Sequence, residues 1–226
     1  MAVRGEPSGA GRLCVGAGIA TAGANALLIL SLGLARPAPS APLLAVYAGL
    51  VAVASGLEAA LAPPAERATE TSAARWPARA SGLLLMAVWL GSPLLATSPP
   101  DPWRFALGSI AFAAGAALRA VAIRRLGARF NSDNHIEADA ALETHGLYRR
   151  LAHPSELGLL LLAAGAALFW GTATLWMIPA LYLATLARLT LEEAALSRRH
   201  GARYALYRRS TFDPFPRLTP QGGARP

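Results

Sequence analysis

The sequence predicts an all-α protein: a polytopic membrane helix bundle of about five or six spanning segments, closed by a C-terminal helical hairpin. Three observations predict it. Of 226 residues, 54% are hydrophobic and the mean hydropathy is +0.38. Only 15% are charged, against roughly 25% in a soluble domain. Apolar runs close to the length of one bilayer crossing alternate with Pro-rich or polar breaks, and the basic residues gather at the ends of the runs.

Segment 1 runs from about Leu13 to Leu34, too long for the apolar core of a signal peptide, and ends in the Pro-rich break 36–42. Segment 2 covers Leu43–Leu61 and carries Glu58 near its end, where contact with Arg119 or exposure to water both fit. A polar loop over 63–80 leads to segment 3, Ser81 to about Thr97, and the Ser-Pro-Pro-Asp-Pro stretch at 98–102 is a turn. Segment 4 begins near Trp103 and reaches about Arg124. Segment 5, Leu157–Trp170, spans roughly 21 Å as a helix, short of a hydrocarbon core of about 30 Å. Segment 6 runs from about Thr174 to Leu189 and continues as an amphipathic helix to about Arg208.

Charge orients these segments. The chain has no Lys, and its formal charge of +8 comes from Arg. Arg4 and Arg12 precede segment 1; Arg67, Arg75 and Arg79 separate segments 2 and 3. Arg124, Arg125, Arg129, Arg149 and Arg150 follow segment 4; Arg198, Arg199, Arg203, Arg208 and Arg209 follow segment 6. Simple alternation puts all four groups on one side, which leaves Arg36 and Arg104 opposite. The positive-inside rule makes the Arg-rich side cytoplasmic, with both termini on it. These arginines are not interleaved with exposed aromatics, which argues against a nucleic-acid surface. Cys14 is the single cysteine, so an intrachain disulfide and a cysteine-based zinc site are excluded.

Chemistry concentrates in two polar stretches flanking the hairpin. The first, 130–158, holds Asn131, Asp133, His135, Glu137, His145, Tyr148, His153 and Glu156. Its histidine spacings match no strong metal-ligand pattern, and no metal is expected. The second follows segment 6 with Arg188, Glu192 and Glu193. Arg188 and Glu192 are four residues apart and share a helix face. Arg188 ends an apolar run at the membrane boundary, where a guanidinium is unfavourable without a partner. Arg suits a carboxylate through two parallel hydrogen bonds, and Glu192 suits an ammonium or sulfonium group. The residues alone leave the ligand open.

The motifs Gly146-x-Tyr148, His153-Pro154-x-x-x-Gly158, then Arg188, Glu192-Glu193, Leu196 and Gly201-x-x-Tyr204-x-x-Tyr207 flank the hairpin in order. From about 108 to 218 the chain resembles the membrane-embedded isoprenylcysteine carboxyl methyltransferase family, to which phospholipid methyltransferases are related. The resemblance implies a cytoplasmic pocket for S-adenosylmethionine, with His135, Leu142, Tyr148, His153 and Glu192 as cofactor-binding positions. It also implies Arg188 as the catalytic residue facing the methyl acceptor. It implies a lipophilic or lipidated acceptor drawn from the membrane, methylated on a carboxylate oxygen; a phospholipid amine or a phenol is the alternative. Two positions depart from the family pattern: Ala152 stands where the pattern has Arg, and Glu156 where it has Tyr. They favour the alternative of another class, a non-catalytic membrane protein that binds lipid or a partner through its Arg-rich face. The expected organisation is N-terminal membrane helices over 1–102, a methyltransferase core over 103–218 and a disordered tail over 219–226.

Overall fold

The computed structural model of the chain describes residues 9–34, 41–61, 72–127, 142–171 and 173–216. His135 and the 219–226 tail lie outside the described residues. All six expected segments are helices: α1 (Gly9–Leu34), α2 (Ala41–Leu61), α3 (Ser72–Leu95), α4 (Pro102–Leu126), α5 (Pro154–Trp170) and α6 (Met177–Ser210). Short 3-10 turns occupy Gly146–Arg149 and Ala173–Trp176. There is no strand among the described residues; one parallel bridge joins Leu151 to Phe212.

Four of these helices are long and apolar enough to cross a bilayer: Ala41–Leu61, Trp76–Leu95, Pro102–Leu126 and the helix that ends at Ser210. Their outward faces are apolar, with Val53, Leu83, Ile110 and Leu183 all exposed. So broad an apolar surface is untenable in water and natural in lipid. Helix α5 has 17 residues, about 25 Å of rise, and stays shorter than the hydrocarbon core. Helix α6 has 34 residues and runs well beyond it.

Helices α4 and α5 approach most closely along a glycine seam. A Cβ on Gly108 would lie 2.5 Å from the Phe169 nitrogen, and one on Gly115 would lie 2.7 Å from the Gly158 carbonyl oxygen. Gly158 and Gly165 face them from α5, with Cβ distances of 2.8 Å to the Gly115 oxygen and 2.5 Å to the Phe112 nitrogen. Pairs spaced by seven residues put each seam on one helix face. Small residues that let membrane helices touch backbone to backbone are the usual substitute for a hydrophobic driving force in lipid. Away from the seam, Tyr47, Phe112, Phe169 and Trp170 form an edge-on aromatic cluster, and the Tyr47 hydroxyl donates to the Trp89 carbonyl at 2.9 Å. At the same end Ser92 and Thr174 share a 2.8 Å hydrogen bond.

The opposite end brings together the close of α2, the close of α4 and the start of α5. Because α4 and α5 touch there, residues 142–153 just before α5, with the first polar motif, are held beside α6. The glycine seam gives a test. Gly115→Leu should destabilise the chain by about 3 kcal/mol or more, because backbone cannot yield to the new side chain. Gly49→Ala, with nothing within 4 Å of the new Cβ, should change stability by less than about 1 kcal/mol. Unfolding in mixed micelles, followed by circular dichroism, measures both.

Candidate functional site

Four charged side chains lie inside the end of the bundle. Arg119 of α4 meets Glu58 of α2, with Nε to Oε2 at 2.9 Å and a second, bidentate contact. Of the two environments that fitted Glu58 in the sequence, the structure takes the Arg119 contact. The remaining donor of Arg119, Nη1, bonds Ser155 at both Oγ (3.0 Å) and the carbonyl oxygen (3.3 Å). Ser155 lies in the first turn of α5, so this arginine ties the N-terminal helices to the first motif. Next to it, Arg188 Nη1 of α6 meets Glu156 Oε1 of α5 at 3.2 Å, with both side chains more than nine-tenths buried. The other Glu156 oxygen, Oε2, is buried without a hydrogen-bond partner among the described residues.

A second layer lies toward the C terminus. His153 Nε2 is 3.2 Å from Glu193 Oε1, and both side chains are buried. Arg208 Nη2 reaches the same Glu193 oxygen at 2.5 Å and also pairs with Asp213. His153, Glu193 and Asp213 offer ligand atoms within 4.8 Å of one another. The Arg208 guanidinium, however, already pairs with both carboxylates and supplies the positive charge that a metal ion would bring. The chain after α6 is pinned over this layer. Phe212 exchanges two 3.0 Å backbone hydrogen bonds with Arg150 and Ala152, and the Phe215 ring stands edge-on to His153 at 6.2 Å.

Two glycines shape the motifs through left-handed backbone that other residues resist. Gly146 (φ 60°) opens the 3-10 turn that carries Tyr148, and Gly201 (φ 48°) kinks α6. Beyond that kink Tyr204, Tyr207 and Arg208 are buried. The two tyrosines therefore lie inside the bundle rather than on its outer face. The kink redirects the last turns of α6, so these rings face the site, 6.1 Å apart. Their hydroxyls have no hydrogen-bond partner among the described residues.

The expected site residues divide as follows. Tyr148 is buried beside α6, within electrostatic reach of Glu192, Tyr207, Glu156 and Glu143. Burial, reinforced by the neighbouring carboxylates, pushes its phenol well above the ordinary value, so it keeps its proton at neutral pH. Glu192 is half-buried on this side and, among the described residues, makes no ion pair or hydrogen bond. Leu142 is half-buried just before the 3-10 turn. His153 bonds Glu193 rather than Glu192, because adjacent helix residues point about 100° apart. Arg188 pairs with Glu156 across the hairpin rather than with Glu192 on its own helix face. Glu193, Arg208, Asp213 and Arg119 complete the site. The signal for Arg119 was a charge inside an apolar run; Asp213 carried none. Arg149 and Arg150, which could replace the arginine missing at 152, are exposed, and the guanidinium brought beside His153 is that of Arg208.

Residues 103–203 match the model of the phospholipid methyltransferase family (PEMT). The family resemblance holds across α4 to α6. The matched stretch contains Tyr148, His153, Glu156, Arg188, Glu192 and Glu193. No curated protein sequence is significantly similar to the chain. The solved structure of the eukaryotic intramembrane Ras methyltransferase ICMT, an isoprenylcysteine carboxyl methyltransferase, superposes with a TM-score of 0.54 at 22% identity. The superposition covers 88% of this chain and 76% of that one. At this identity the likeness is one of fold: both are polytopic helical membrane proteins. Family match and fold together support a membrane methyltransferase.

The buried pairs predict their own energetics. Arg119→Met strands the Glu58 carboxylate and should destabilise the chain by about 3–5 kcal/mol. Adding Glu58→Gln should recover most of that loss. A double-mutant cycle on unfolding free energies in micelles checks the coupling.

Proposed function

We propose that the chain is an S-adenosylmethionine-dependent methyltransferase that methylates a lipophilic acceptor drawn from the bilayer. One observation carries the reading: two motifs separated by a membrane hairpin converge, and they leave polar groups unsatisfied within electrostatic reach of one another. Among the described residues Glu192 makes no ion pair or hydrogen bond, and the buried Tyr204 and Tyr207 hydroxyls have no hydrogen-bond partner. Tyr148 adds a phenol that keeps its proton. This donor and acceptor set fits a cofactor with an ammonium, a sulfonium and a ribose. Glu192 would hold the ammonium; Tyr148 and His153 would contact the rest, with Leu142 and His135 from the preceding segment. When bound, the cofactor supplies an electrophilic methyl group. The protein's part is to hold the acceptor in line with that methyl and to exclude water, which can supply much of the rate.

On the positive-inside reading the Arg-rich end of the bundle is cytoplasmic, so the cofactor enters from the cytoplasm and the acceptor from between the helices. The resemblance implies an isoprenylcysteine-like carboxylate as acceptor, with Arg188 as the catalytic group that orients it. The ion pair of Arg188 with Glu156 favours the second reading, an acceptor with a proton to lose, such as a phospholipid amine or a phenol.

Glu192→Ala should weaken S-adenosylmethionine binding at least about tenfold, the loss of one charge-assisted hydrogen bond worth about 1.5–3 kcal/mol. Titration calorimetry on the purified, folded variant measures it. Unchanged affinity would remove Glu192 from the cofactor site. Incubating the protein and a membrane extract with methyl-labelled cofactor, then weighing the labelled lipid, identifies the acceptor.

A further inference from the structure

Glu156 is 3% exposed, yet only one of its two oxygens is used. Oε1 meets Arg188 at 3.2 Å, and Oε2 has no hydrogen-bond partner among the described residues. A buried carboxylate oxygen left in this way is unfavourable unless something else bonds it. The charges around it are already balanced: Glu58 and Glu156 against Arg119 and Arg188, all within mutual electrostatic reach. A further anion would unbalance the set and would meet the Glu156 carboxylate directly. A neutral group with an N–H or O–H would leave the balance intact and satisfy Oε2.

We propose that Glu156 selects the methyl acceptor: it admits an amine or hydroxyl nucleophile through a hydrogen bond to Oε2, takes its proton, and turns carboxylates away. The inference rests on the reading of the chain as a methyltransferase. In the step it describes, a bond forms to the methyl carbon from the uncharged acceptor nitrogen or oxygen, an ammonium having first lost one proton to water. The carbon–sulfur bond of the sulfonium donor breaks, and sulfur keeps the electron pair. The proton of the acceptor passes to Oε2, so the sulfonium becomes a thioether and the carboxylate a carboxylic acid. Arg188 is then the positioning residue that holds the Glu156 carboxylate in place.

The test uses the full chain in nanodiscs with three acceptors: phosphatidylethanolamine, a long-chain alkyl phenol and an S-farnesylated cysteine derivative with a free carboxylate. Acceptor binding is measured without cofactor, transfer with methyl-labelled S-adenosylmethionine, and cofactor affinity separately. The wild type should bind and methylate the amine or the phenol in preference to the carboxylate. Glu156→Gln should lower transfer by about 100-fold or more, the range of a lost general base. It should also tighten binding of the carboxylate probe, by removing the anion that faces Arg188, and leave cofactor affinity within about threefold. The double variant Glu156→Gln/Arg188→Gln removes both charges and keeps a hydrogen-bonded pair. It should unfold near the wild-type midpoint and stay inactive, separating lost chemistry from lost fold. Preferential binding or labelling of the carboxylate by the wild type, or wild-type transfer by Glu156→Gln, overturns the inference and leaves the methyltransferase reading standing. Failure of the wild type to bind S-adenosylmethionine overturns both.

Discussion

An arginine surrounded by apolar helices is stable only against an anion, and two such pairs organise this bundle. Arg119–Glu58 joins α4 to α2, and Arg188–Glu156 joins α6 to α5. Each links elements far apart in the chain, and each would leave an uncompensated buried charge if its helices moved apart. The spare donor of Arg119 extends the first link to Ser155, one residue before Glu156. Four helices are thereby fixed relative to one another at the end where the two motifs meet.

The glycine seam makes those contacts reachable. Gly115 and Gly158 let α4 and α5 touch backbone to backbone, and a Cβ on Gly158 would press on Arg119 itself. The arginine therefore reaches across the hairpin start without extending through lipid. The first turn of α5 is packed between α4 and α6, so His153, Ser155 and Glu156 are buried although they belong to a polar motif. The kink at Gly201 and the pinned segment through Phe215 close the same region from the other side.

The two departures from the family pattern take on separate meanings in this frame. Ala152 is buried under the returning chain, its amide bonded to the Phe212 carbonyl, and Arg208 brings a guanidinium to His153 and Glu193 from another element. The charge absent at 152 is thus met locally by α6. Glu156 is different, since it engages Arg188 across the hairpin. The first departure concerns how the site is held together; the second, on the proposed reading, concerns what it accepts.

Hydropathy and Pro-rich breaks marked all six helices, because a membrane helix must satisfy its backbone internally and announce itself by length and apolarity. The order of the motifs marked Tyr148, His153, Arg188 and Glu192, and a charge within an apolar run marked Glu58 and Arg119. Partnership was not legible. Whether Arg188 would meet Glu192 four residues away or Glu156 thirty-odd residues earlier depends on how α5 and α6 rotate against each other. Whether Tyr204 and Tyr207 face headgroups or the pocket depends on one left-handed glycine. Side-chain pairing between helices is a property of their relative rotation and depth, set by packing along the whole bundle, and no local pattern encodes it. Sequence alone therefore determined a polytopic helical membrane protein with two polar motifs flanking a hairpin; the tertiary structure alone decided which charge answers which.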